Sequence, residues 1–441
     1  MSNTLTASST LKLRSQADKQ SQIYNEEPLD KKIEHIVRDS KNLHIGVKPN
    51  TSKLVFGQPD PEGLTILPET TKQRFVESGI DISRGYPERP SKEAVPVYLD
   101  EAFAIRNDDY PHIERGKNAD PEKKALFGAA TEVIDLTKNV GTEIVGLQLA
   151  DLNDKQKDEL ALLISERIVV FFRHQKLSPQ KQLELGEYWG RVEKHPQAYQ
   201  VNGLPGITVI WNDFAALKNQ KKYTFKNNNI GNFDSVKYNS GSLSWHGDLS
   251  QENQPPGVTH LHLDTIPDNG GDTMWASGYA AYDKLSEEFK KFLDGKKAVF
   301  SSAHKYLDRN DPFGGPKRIE RVHPLVRTHP ATGWKYLFVN REHTERILGV
   351  SPVESDIILN YLFDVYEKNA DIQVRFKWGP TEPGYGVSAL WDNRISQHRA
   401  VWDHEGNDAR HGTRVSSLSD KPYFDPKSKS QREALGLSLE E

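Results

Sequence analysis

The 441-residue chain contains no cysteine and only two methionines. The missing thiol is the more informative absence. It excludes disulfides, thiolate metal sites, iron–sulfur clusters and cysteine nucleophiles, which leaves histidine and carboxylate as the strong metal ligands. A cysteine-free chain also suits an intracellular compartment. No stretch approaches the roughly 20 apolar residues that a membrane span needs. The N-terminus lacks the apolar h-region of a secretory signal. Its first seventeen residues carry Lys12 and Arg14 but no acid, a faint transit-peptide pattern beside the plainer reading of a flexible tail. The expectation is a cytoplasmic protein, with mitochondrial import as the minor alternative. Excess charge is missing as well: a net charge of -4 and a pI near 6.5 leave no positive field for a nucleic-acid partner.

Apolar content is 36% and mean hydropathy -0.70, low for a chain that is compact throughout. Eight Trp, sixteen Tyr and seventeen Phe nevertheless require a core. Together these describe a solid core diluted by polar extensions. Residues 1–55 read as a polar, flexible tail, and residues 426–441 as another. Between 56 and 130 prolines recur at Pro59, Pro61, Pro68, Pro87, Pro90, Pro96 and Pro111, which predicts an extended arm wrapping the core or a partner subunit.

Regular structure is predicted from about residue 131. Thr142 to Leu149 alternates as a half-buried strand would, with Val145, Leu147 and Leu149 on one face. Asn153 is a helix N-cap, and Leu160, Leu163 and Ile164 face inward behind it. Ile168 to Phe172 is a continuous apolar run, hence a buried strand. Ser178-Pro179 opens a second helix. Ser351-Pro352 opens another, with Glu354 completing a capping box and Ile357, Ile358, Tyr361 and Leu362 on it. Strand-like runs cover Val258–Leu263, Ala298–Ser302, Tyr336–Asn340, Gln373–Trp378 and Val387–Trp391. Many strands with few helices give a mainly-β fold with flanking helices, a sandwich or jelly roll.

The chemistry starts at Ser244-Trp245-His246-Gly247-Asp248. In an extended segment, residues i and i+2 project to one face, so His246 and Asp248 could grip one metal. Among fifteen histidines such a pair also arises by chance, as a surface His beside a solvated Asp. A second stretch, Leu390-Trp391-Asp392-Asn393-Arg394, ends an apolar run and is followed by Gln397-His398. A distant His joining a local His-x-Asp occupies one face of an octahedron and leaves three positions open, the pattern of non-haem Fe(II) oxygenases. A structural zinc site would instead fill all four positions.

Four blocks, in order, carry a resemblance: Trp245-His246-Gly247-Asp248; Gly270-Gly271-Asp272-Thr273; Trp391-Asp392-Asn393-Arg394 with Gln397-His398; and Arg410 with Arg414. The sequence resembles the taurine dioxygenase/2,4-D dioxygenase family of Fe(II)/2-oxoglutarate enzymes, particularly its fungal sulfonate dioxygenase branch. The resemblance spans roughly 135–425 and makes residues 131–425 the catalytic domain. It implies a double-stranded β-helix (jelly-roll) core and iron held by His246, Asp248 and His398. It further implies that Thr273 and Arg410 hold the distal carboxylate of 2-oxoglutarate, a planar fork plus a hydroxyl donor. Taken singly, Thr273 would read as a turn residue and Arg410 as a solvated one. Arg414 matches the family's partner for the substrate anion, and alternation lets it share a face with Arg410. His195, in Lys194-His195-Pro196, matches a second substrate contact.

The implied reaction couples decarboxylation of 2-oxoglutarate by O₂ to hydroxylation beside a sulfonate or sulfate ester, releasing an aldehyde with sulfite or sulfate. The implied partners are a small organic anion and further copies of the chain. An aryloxyacetate or other carboxylate would suit Arg414 as well. A non-catalytic anion sensor on the same scaffold and a hydrolytic zinc enzyme are the readings from other classes. Several alternatives at single positions stay open: Arg399 or His411 for Arg410, and His404 for His398. Within the long segment 212–240, Lys218 to Asn232, with Lys218, Lys221 and Lys222, reads as a lid or a solvated loop. His260 and His262 are expected on one face of a core strand, and no ligand role follows for His304, His323, His329 or His343.

Overall fold

The apolar run from Ile168 to Phe172 becomes, from Val169 onward, a strand buried on both faces, and the fold is arranged around it. The computed structural model describes residues 59–88, 108–195, 198–217, 245–307, 316–379, 382–401, 403–404 and 408–437. Residues 1–55, Lys218, Lys221 and Lys222 lie outside these, as does the side chain of His304.

In chain order the strands begin with β1 (Glu132–Asp135), β2 (Thr142–Val145), β3 (Val169–Gln175) and β4 (Arg191–Val192). Next come β5 (Thr208–Trp211), β6 (Pro256–Thr265), β7 (Thr273–Ser277) and β8 (Lys297–Leu307). β9 (Pro316–Pro324), β10 (Val326–Thr328), β11 (Lys335–Leu337) and β12 (Thr344–Ile347) follow. The series closes with β13 (Gln373–Phe376), β14 (Gly386–Asp392), β15 (Ser396–Ala400) and β16 (His411–Leu418). The main sheet has the order β1-β2-β3-β14-β6-β16-β4, with β5 also paired to β16. It is mixed, because β2 and β3 run parallel while its other pairs are antiparallel. A second sheet, β13-β7-β15, faces it; β12-β8-β9 and β10-β11 are smaller.

Alternation along β3 decides the layering. Val169 and Phe171 join the core between the sheets, whereas Val170 and Phe172 meet the helices outside. Between the sheets Phe171 stacks on Phe376 at 3.7 Å, and Trp275 meets Phe171 and Trp391 edge-on at 5.3 and 5.7 Å. Outside, Leu160, Leu163 and Ile164 of the helix Asp154–Arg167 pack on Val170, Phe172 and Leu390. Each such side chain contributes roughly 2 kcal/mol by leaving water. That helix opens with a capping box between Asn153 and Gln156, and the helix Pro352–Glu367 opens with one between Ser351 and Glu354. The helix Pro179–Trp189 begins at the Ser178 cap.

One expectation changes. The strand at Thr142 ends at Val145, and its buried residues are Thr142 and Ile144 rather than Val145 and Leu147. Gly146 at φ +87° turns the chain there, so the alternation read across it does not continue. In the helix Pro352–Glu367, Leu359, Leu362, Phe363 and Tyr366 are buried, while Ile357 and Tyr361 are 66% and 49% exposed. Residues 59–88 pack onto β16 and β5 through Phe75 and Tyr86, which share a cluster with Trp211, Phe214 and Val415. Among the described residues no helix is long and apolar enough to cross a membrane.

Candidate active site

His246 meets β15 through a single antiparallel bridge. Its amide donates to the His398 carbonyl at 3.1 Å, and the His398 amide donates back at 2.8 Å. Residues paired this way project their side chains to the same side, and the two rings lie 4.4 Å apart. The expected extended segment stops here, since Asp248 opens a turn in which Leu249 has φ +50°. What places Asp248 is the buried Asn393. Its Oδ1 accepts the Asp248 amide at 2.8 Å, and its Nδ2 donates to the Asp248 carbonyl at 2.7 Å.

His246 Nε2 is thereby 3.8 Å from Asp248 Oδ1, and His398 Nε2 is 3.9 Å from Asp248 Oδ2. One donor atom from each of the three lies within 4.8 Å of the others. With metal–ligand bonds of roughly 2.1 Å, atoms up to about 4.2 Å apart can share an ion. Behind the pair, His246 Nδ1 faces the Glu342 carboxylate at 4.0 Å. Burial and the neighbouring His246 pull His398 down to about 3, so its imidazole is neutral and able to ligate. Burial alone would raise the Asp248 carboxyl, but Arg414, His398 and His246 outweigh it and hold it at about 2. Arg414 Nη1 donates to both Asp248 oxygens at 3.0 Å.

A second cluster forms where β7 begins. Arg410 Nη2 approaches Thr273 Oγ1 at 3.5 Å, and Arg410 Nε donates to the Gly271 carbonyl at 3.1 Å. Trp378 Nε1 donates to the same Thr273 oxygen at 3.2 Å. Gly270 and Gly271 have φ of +77° and +69°, and a Cβ on Gly271 would stand 3.2 Å from Arg410 Cδ. The double glycine therefore lets the turn pass directly beneath the guanidinium. Nearby, Asp272 accepts from Arg375 at 2.7 Å, and Asp403 takes Arg375 and the Gly271 amide. Arg410 is only 3% exposed, and no carboxylate among the described residues forms an ion pair with it. Burial pulls it down to about 10. The charges of Asp213 and Asp272 offset that only in part.

Other candidates fall elsewhere. His411 turns to the opposite face of β16, where Nδ1 meets Asp264 at 2.8 Å. Arg399 lies over the Trp245 ring at 5.1 Å. The metal-like group includes His398 and not His404. β4 pairs with β16 at Ser417 and Leu418, but β5 takes the β16 edge at Arg414. His195 lies just after β4, and its Nδ1 accepts the Ala198 amide at 3.0 Å.

His260 and His262 share one face of β6 and both contact Ser388 Oγ, at 3.0 and 2.9 Å. His323, His329 and His343 are bonded to Glu252 O, Asp392 and Ser301 O. A second group with ligand-like spacing, His112, Glu114 and Asp420, already has Arg394 paired to Glu114. The residue that sequence reading passed over is Asn393. It stands inside the Trp391-to-Arg394 block, but nothing in its spacing announces a clamp on Asp248.

The family described as "Taurine catabolism dioxygenase TauD, TfdA family" matches residues 132–416. A Schizosaccharomyces pombe protein, provisionally named an alpha-ketoglutarate-dependent sulfonate dioxygenase, is 37% identical over 348 residues, covering 78% of this chain and 83% of its own. The alpha-ketoglutarate-dependent sulfonate dioxygenase of Saccharomyces cerevisiae is 35% identical, covering 67% of this chain and 69% of its own. Among solved structures, a taurine dioxygenase from Burkholderia xenovorans superposes with a TM-score of 0.52 at 28% identity, covering 68% of this chain and 92% of that one.

Proposed function

This chain belongs to the taurine catabolism dioxygenase TauD, TfdA family, and from that premise we propose that it hydroxylates the carbon bearing a sulfonate or a sulfate ester oxygen. As a member it is a dioxygenase dependent on Fe(II), 2-oxoglutarate and O₂, and its substrate is a small organic anion. One oxygen atom of O₂ enters succinate as 2-oxoglutarate loses CO₂, and the other enters the substrate C–H bond. The hydroxylated carbon then expels sulfite, or sulfate from an ester, and becomes an aldehyde.

The donor set fits the metal: two imidazoles, that of His398 held neutral by its burial, and one ionised carboxylate, with no thiolate in the chain. In this reading His246, Asp248 and His398 hold Fe(II), which supplies the oxidising chemistry when bound. Arg410 and Thr273 bind the distal carboxylate of 2-oxoglutarate. Arg414 and His195 bind the substrate anion and orient it beside the metal. The Glu342 carboxylate, 4.0 Å from His246 Nδ1, places negative charge behind that imidazole. Trp391, whose ring lies 4.9 Å from that of His398, shields this side of the metal site from water.

The observation that carries the reading is Arg410, buried beside Thr273 with no ionic partner among the described residues. The catalytic unit we infer is residues 131–425 with a jelly-roll core, preceded by the arm of residues 56–130 and flanked by polar tails, 1–55 and 426–441. The unit works in the cytoplasm as a homo-oligomer, without nucleic-acid or membrane partners. The test is succinate release, with O₂ and Fe(II), across alkyl sulfonates, alkyl sulfates and aryloxyacetates. Sulfonate-dependent succinate and sulfite in equal amounts are expected; no turnover with any sulfonate or sulfate ester overturns the assignment.

A further inference from the structure

Between β6 and β16 the pairing slips. His411 stands opposite Thr265 and Gly412 opposite Leu263, so Asp264 is an extra, unpaired residue in β6. A bulge of this kind re-aims the side chains beside it. Here the slip falls directly after Arg410.

The bulge is held by residues far away in the chain. Asp264 Oδ1 accepts from Thr71 Oγ1 and faces His411 Nδ1, both at 2.8 Å, while Asp264 Oδ2 pairs with Arg74 Nη1 at 2.8 Å. Arg74 Nε also donates to the Leu177 carbonyl at 2.8 Å, and its Nη1 to Thr413 Oγ1 at 3.1 Å. On its other side the His411 ring meets Tyr86 through Nε2 and the phenol oxygen at 2.8 Å. Arg74, Tyr86, Asp264 and His411 are each at most 5% exposed. Gly412 presses the strand against β6, where a Cβ would come within 2.6 Å of the His262 carbonyl. The Arg410 amide itself donates to Asp213 at 3.3 Å.

We propose that Arg74, Tyr86, Asp264 and His411 form a positioning network that fixes the peptide at Arg410, so that residues 59–88 help set the affinity for the distal carboxylate of the 2-oxo acid. This rests on the reading of Arg410 given above. None of the four touches cosubstrate; they act through the backbone of His411 and through the bulge. Holding a guanidinium at one geometry is what makes a fork-to-carboxylate contact effective, and loosening one buried hydrogen bond in its support weakens that contact by about tenfold.

The test is anaerobic titration of the Fe(II)-loaded full chain, followed by the charge-transfer absorption of the bound 2-oxo acid. Two probes are compared: 2-oxoglutarate, and 2-oxobutyrate, which lacks the distal carboxylate. Tyr86→Phe and Arg74→Lys should weaken 2-oxoglutarate by about tenfold and leave 2-oxobutyrate within twofold. Tyr86→Phe keeps the ring, so it remains informative if Arg74→Lys fails to fold. Equal weakening of both acids, or no weakening of either, would overturn the proposal. Arg410→Met is the reference: if it fails to erase the preference for 2-oxoglutarate, the reading of Arg410 itself is wrong.

Discussion

The two faces of the β6–β16 ribbon carry nearly the same side chains and do opposite things with them. On the outer face His260, His262, Asp264 and His411 are covered by Arg74, Tyr86 and Gln182, and charge meets charge: Asp264 pairs with Arg74. On the inner face Arg414 reaches Asp248, which lies beside His246 and His398, and Arg410, just before β16, points at Thr273. Histidine, carboxylate and arginine are therefore not what distinguishes a site. The outer cluster is closed at its charges, with Asp264 paired to Arg74 and His411 and only His260 Nδ1 left without a partner, whereas the inner one holds His398 Nε2 across nearly 4 Å from a carboxylate and a buried guanidinium without an ion pair among the described residues. Closed polar networks fix geometry, and open ones bind.

The comparison breaks most visibly at the two aspartates. Asp248→Ala should abolish turnover, by about a thousand-fold or more, while thermal unfolding stays near that of the parent chain. Metal content and succinate release measure the first, and a melting curve the second. Asp264→Ala should instead destabilise the fold by about 3–5 kcal/mol, because Arg74 would be left buried without its carboxylate. Urea unfolding checks it. Equal losses of stability from both substitutions would mean that the two faces are not functionally distinct.

Asn393 sharpens the boundary between support and ligation. Asn393→Ala should weaken Fe(II) binding about 10- to 100-fold, because the Asp248 backbone loses both of its clamping bonds. Unchanged metal affinity would show that Asp248 is placed without it.

The smallest effect concerns pH. Burial, followed by the charge of Arg74, depresses His260 to about 3 from an ordinary value of 6.5. As pH falls below 6.5 the unfolded chain takes up a proton that the folded chain refuses. Stability is therefore full above 6.5 and is lost on the way down to 3, at about 1.4 kcal/mol per pH unit for this group. Asp264, whose carboxyl is held low by His411 and Arg74 against its burial, adds loss only below about 4. Unfolding free energies measured at pH 7, 6 and 5 should fall less steeply in His260→Gln than in the parent, and identical slopes would refute the buried neutral imidazole.

The buried strand at Val169, the caps at Asn153, Ser178 and Ser351 and the run of β14 were all legible, because period and capping are local properties. The strand from Thr142 was misjudged past Gly146, where one left-handed residue ends an alternation that continues on paper. In the helix Pro352–Glu367 the apolar residues are spread around the axis, so only packing decides that Leu362 goes in and Ile357 stays out. Equal apolarity cannot rank them.

By itself, the sequence determined the chemistry available. It allowed no thiols, supplied two histidines and an aspartate at the spacing of an open metal face, and brought Thr273, Arg410 and Arg414 in a family's order. Only the tertiary structure decided which side chains share a space. The bridge between His246 and His398 joins residues 152 positions apart (398 − 246), and the Asn393 clamp reaches across 145. It also assigned His411 and Arg410, adjacent in the chain, to opposite faces, and brought Arg74 from the N-terminal arm onto Asp264. Such contacts arise from closing long loops around a packed core, and that entropy and packing are not written in any local window.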